Sequence, residues 1–101
     1  MIAALDQSVL NAARVALLEL CESGSPVVRP DTVDKTLAVA VRRWQSFHRR
    51  NSNRTPDANT RTNDLTKGLI NTLEPDPTLT GPLKSDYHHL ATTLANIFSA
   101  T

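Results

Sequence analysis

The sequence predicts an all-α fold, a four-helix bundle or irregular helical array with helices over about 2–23, 31–50, 63–74 and 82–99. Two observations predict it. Apolar residues recur at three- and four-residue intervals in separate segments joined by Pro-, Asn- and Thr-rich connectors. No segment alternates apolar with polar residues as a half-buried strand does. At 101 residues the chain has the length of one domain, here 1–101, able to bury a single modest core without metal or disulfide support. Four aromatics, Trp44, Phe47, Tyr87 and Phe98, leave that core to Leu, Val, Ile and Ala.

In the first helix Ile2, Leu5, Val9, Ala13, Ala16, Leu17 and Leu20 form the apolar stripe. It starts either near Ile2 or with Asp6 as N-cap, in which case Leu5 and Leu10 take the staple positions, and Gly24 is its stop. Val15 and Leu18 fall off the stripe. Their presence makes the helix apolar over more than half its circumference, so it is either central in the domain or covered by another chain. Val15 and Leu18 are therefore the candidate oligomer or partner interface.

Proline at 26 and 30 makes "SPVVRP" an extended connector, after which Asp31 or Thr32 caps the second helix and Asp34 favours its positive end. At about 100° per residue, Val33, Leu37, Ala40, Val41, Trp44 and Phe47 gather on one side. Arg42, Arg43, Arg49 and Arg50 gather on the other. Trp44 lies near the centre of the apolar side and is expected in the core; Phe47 lies nearer an edge, where partial exposure is expected.

Residues 51–63, "NSNRTPDANTRTN", hold no large apolar residue and are predicted to form a flexible polar loop, long for a compact domain. The third helix then starts at Asn63 or Asp64, turns Leu65, Leu69, Ile70 and Leu73 inward, and is weakened by Gly68. "PDPTLTGP" reads as an irregular turn in which Leu79 pins the loop to the core. The fourth helix starts near Pro82 and aligns Leu83, Tyr87, Leu90, Leu94, Ile97 and Phe98.

Charge argues locally. Eleven Lys and Arg against ten Asp and Glu leave a net charge of +1, unlike the basic excess of a DNA-coating protein. Yet from Lys35 to Arg54 there are six basic residues and no acid. No phosphate loop, nucleophile elbow or paired metal-ligand spacing is present, so no enzyme activity, cofactor, metal or small-molecule substrate is expected. His88 and His89 point about 100° apart on a helix and do not readily bind one ion together. The lone Cys21 excludes an internal disulfide and sits in an apolar pattern, pointing to a buried hydrophobe in a reducing, cytoplasmic or other intracellular setting. The N-terminal "MIAALDQSV" lacks the features of a signal peptide, and no apolar run reaches the ~20 residues of a membrane span.

Two functional readings follow. The first is a small protein–protein interaction module, a regulator or adaptor, that self-associates through helix 1 as a homo-oligomer or binds a protein partner. The second is nucleic-acid binding through the basic face of helix 2. Arg42, Arg43, Arg49, Arg50 and Arg54 are the candidate nucleic-acid or acidic-partner residues, joined by Arg61 from the loop in contacting phosphates.

Overall fold

Asp6 is the cap that starts the first helix. Its carboxylate accepts the Val9 N–H at 3.0 Å and the Ser8 hydroxyl at 2.7 Å, and these bonds hold its pKa below the usual carboxylate value. The structure, a computed structural model, describes residues 5–54 and 56–99, so the alternative helix start near Ile2 lies outside the described residues. Helix α1 spans Gln7–Glu22. It stops at Gly24, which takes φ 82°, a left-handed conformation that favours glycine. The Gly24 and Ser25 amides return to the Cys21 and Leu20 carbonyls, closing the helix end as a Schellman motif.

A short 3-10 turn at Pro30–Thr32 leads into α2, Val33–Arg50. Thr32 occupies the cap position of α2, but its hydroxyl turns back to Arg29, donating to the Arg29 carbonyl and accepting the Arg29 N–H, both at 3.1 Å. Helix α3 spans Ala58–Leu73, a second 3-10 turn lies at Pro77–Leu79, and α4 spans Lys84–Ser99. No strand occurs among the described residues. Each helix packs on its neighbours in sequence and α4 returns to α1, closing a four-helix arrangement.

The inward stripes meet in one core. Ala13, Leu17, Ala40, Leu69, Ala91 and Leu94 are fully enclosed, and Leu65, Leu90 and Phe98 nearly so. Trp44 is buried, as its place on the wheel predicts, with its ring centroid 5.5 Å from that of Phe98. Phe47 departs from expectation. It is only 8% exposed, because the 47 position, at the edge of the ideal stripe, is covered and meets the His48 ring edge-on.

The predicted polar loop is shorter than expected. Residues 58–63 are the first turns of α3, and the connector shrinks to 51–57. Asp57 caps this earlier start: its carboxylate accepts the Thr60 N–H at 2.7 Å, the bond that chiefly depresses its pKa. The inward side of these turns is formed by Thr62, which is buried, and by the half-buried Arg61, so a helix is held where no large apolar residue announces it.

Tyr87 of α4 closes the opposite end. Its hydroxyl donates to Glu74 at 3.2 Å, and burial, with the Glu74 charge beside it, pushes its pKa up to about 12. A raised folded-state pKa favours the protonated ring, so stability falls as pH rises from the ordinary tyrosine value of 10.0 through about 12.

Candidate interaction surfaces

The arginines that lie together on an ideal helix divide in the structure. Arg43 crosses to α3 and holds Asp64 with two parallel bonds, Nε–Oδ2 at 3.0 Å and Nη2–Oδ1 at 2.9 Å. Arg50 leans the same way, its Nη2 3.7 Å from Asp64 Oδ1 and its Nε donating to the Ser46 carbonyl at 3.3 Å. Arg42 and Arg49 are exposed and form no ion pair among the described residues. Arg54 is exposed in the turn after α2, where its amide bonds the Asn51 carbonyl at 3.0 Å.

Arg43 reaches Asp64 because Gly68 lets it. Gly68 is buried, and a Cβ placed there would stand 2.6 Å from both Arg43 Cγ and Cδ. The helix-weakening residue of α3 is thus the floor on which an arginine lies. Asp64 and Gly68 are one helical turn apart, so the pairing had a sequence signature, but the identity of the crossing arginine depends on how α2 meets α3.

Arg61, expected in a mobile loop contacting phosphates, belongs to α3. Its guanidinium stands 5.9 Å from the Trp44 ring centroid, a cation–π contact that ties α3 to α2. Its Nε is buried without a hydrogen-bond partner among the described residues. His48 is held between Trp44 and Phe47, with Nδ1 2.8 Å from the Trp44 carbonyl.

Val15 and Leu18 remain at the surface, 53% and 40% exposed. About 60° apart at 100° per residue, they stand opposite the buried Val9, Ala13 and Leu17 and form the outward crest of α1. Glu19 and Glu22 follow them on the exposed side and enter no ion pair among the described residues.

Between α1 and α2 runs an open groove of about 460 Å³, lined by Leu10, Leu37, Ala38 and Val41 and bordered by Asp34, Arg42 and Gln45. Arg14 of α1 pairs with Asp34 across this seam, offsetting the acid at the groove's edge. A larger concavity of about 680 Å³ lies where the end of α3 meets the start of α2, with Arg29, Lys35, Glu74 and Tyr87 among its walls. Its charges are of both signs.

His88 and His89 are exposed, and no group of three His, Cys, Asp or Glu able to hold a metal occurs among the described residues. Cys21 is a free, half-buried thiol packed against the core. No helix among the described residues is long and apolar enough to cross a membrane. Comparison with protein-family models, with curated proteins and with solved structures finds no match for this chain.

Proposed function

We propose that this protein is a small non-enzymatic interaction module, of the regulator or adaptor kind, that self-associates through the outward face of α1. The observation that carries the proposal is the exposure of Val15 and Leu18, 53% and 40%, on the side of α1 opposite its buried stripe. Scattered exposed aliphatics are ordinary, but these two are neighbours on one helix face, on the side opposite the buried stripe. Sedimentation equilibrium over a concentration series tests the reading. The wild-type chain is expected to form a dimer that dissociates on dilution, and Val15→Asp/Leu18→Asp is expected to be monomeric with an unchanged helical circular dichroism spectrum. A wild type that stays monomeric to about 1 mM overturns it.

A second reading, nucleic-acid binding, rests on the exposed Arg42, Arg49 and Arg54. It is narrowed by the commitment of Arg43, and in part Arg50, to Asp64. Three phosphate contacts give a log–log salt slope of about −2 to −3, shallower than the full five-arginine set requires. A fluorescence titration with duplex DNA and with RNA at two salt concentrations decides this reading, and unchanged binding after Arg42→Ala/Arg49→Ala/Arg54→Ala sinks it.

A further inference from the structure

We infer that the α1–α2 groove is the seat for the α1 crest of a second copy, so that two chains pair reciprocally, each offering its crest to the other's groove. This rests on the self-association proposed above and names the surface that receives it. The groove floor, Leu10, Leu37, Ala38 and Val41, is apolar, and the nearest acid, Asp34, is already paired with Arg14. The charge left at the rim is therefore cationic: Arg42 borders the groove, and Arg49 lies two helical turns further along the same side of α2, both exposed and without an acidic partner among the described residues.

The crest of α1 carries the complementary pattern. Val15 and Leu18 are exposed apolar residues, and Glu19 and Glu22 extend the same outward region with two acids that form no ion pair among the described residues. An apolar pair followed by acids matches an apolar floor followed by arginines, in which the charges fix register and orientation. Placement along the helix agrees. The groove meets α1 at Leu10, in its N-terminal half, whereas the crest and its glutamates occupy the C-terminal half. Two α1 helices related by a two-fold axis and running antiparallel bring each C-terminal half over the other's N-terminal half. Two identical junctions form at once and no sticky surface is left over, which closes the assembly at a dimer.

Both patches are small, at the low end of specific interfaces, and the association is expected to be weak and concentration-dependent. Sedimentation equilibrium of charge-reversed chains tests the pairing. Arg42→Glu/Arg49→Glu and, separately, Glu19→Lys/Glu22→Lys change only exposed side chains, and a thermal melt by circular dichroism checks that each variant is folded. Each alone is expected to raise the dissociation constant at least tenfold. An equimolar mixture restores association to within about threefold of wild type, because both junctions of the mixed dimer join opposite charges. If both charge variants dimerise like wild type while Val15→Asp/Leu18→Asp does not, self-association through the crest stands and the groove assignment falls. A mixture that fails to recover likewise overturns the groove assignment. A wild type monomeric to about 1 mM removes both.

Discussion

On one side of α2, Arg43 lies flat on a glycine and grips Asp64 of α3 with two hydrogen bonds, the two side chains 34% and 16% exposed. On the other side, Arg14 of α1 meets Asp34 in an ion pair whose side chains are 50% and 75% exposed, above an apolar groove left open. Each seam is bridged by an arginine–aspartate pair, which Arg50 joins at 3.7 Å on the closed side. The difference is solvent. Where water is largely excluded, losing one partner strands a desolvated charge; where water reaches both groups, it replaces the lost partner. The closed seam builds the fold, and the open seam leaves an apolar groove facing solvent.

The largest expected effect falls on the core side of α2. Trp44→Ala removes a ring buried against Phe98 and capped by Arg61, and is expected to destabilise the fold by about 3–5 kcal/mol in urea denaturation followed by circular dichroism. A loss below about 1 kcal/mol would mean that α2 is not clamped by this ring.

Next comes Arg43→Ala, which leaves the mostly buried Asp64 carboxylate with only Arg50 at 3.7 Å. The expected loss is about 2 kcal/mol, below that of a fully buried pair because Arg43 retains some solvent contact. Arg42→Ala on the same helix, exposed and without an ion pair among the described residues, is expected to change stability by less than about 0.5 kcal/mol. Equal effects from the two arginines would erase the distinction between the seams.

This division of the arginines marks where sequence reasoning stops. Helical periodicity was sufficient for α1, α2 and α4 and for the core position of Trp44, because those segments carry large apolar residues on one face. It also placed Val15 and Leu18 off the buried stripe, where the structure has them. The opening turns of α3 escaped it, since Thr62 and the stem of Arg61 fill the inward side and carry little hydropathy. The capping residue was in plain view at Asp57, but without an apolar residue after it the next polar pair, Asn63 and Asp64, reads as the start. Asp64 is instead a mid-helix residue on the α2-facing side. Which of several arginines on α2 finds it is a property of helix packing, which no local pattern encodes.

The glycine sharpens the comparison through a change of sign. In wild type, Gly68→Ala gains helix propensity of about 1 kcal/mol but drives a Cβ into the Arg43 stem, so that the side chain must shift and its bonds to Asp64 are lost. The net expected effect is a destabilisation of about 1 kcal/mol. In an Arg43→Ala background the obstruction is gone, and the same substitution is expected to stabilise by about 1 kcal/mol. A double-mutant cycle by urea denaturation reads both arms. If Gly68→Ala has the same sign in both backgrounds, the arginine does not need the glycine.

The smallest expected effect lies at the open seam, where the ion pair serves the surface more than the fold. Arg14→Ala removes an exposed partner of an exposed acid, and the change in folding stability is expected to stay within about 0.5 kcal/mol. The same substitution leaves the Asp34 carboxylate uncompensated at the edge of the groove. In the proposed dimer it would oppose the approach of Glu19 and Glu22 from a second copy, so the dissociation constant is expected to rise two- to threefold at physiological salt, and by less at high salt where the charges are screened. Sedimentation equilibrium and urea denaturation on the same preparation separate the two quantities. A loss of more than about 1 kcal/mol of stability would show that Arg14–Asp34 carries structural weight after all, and the two seams would then differ in openness alone.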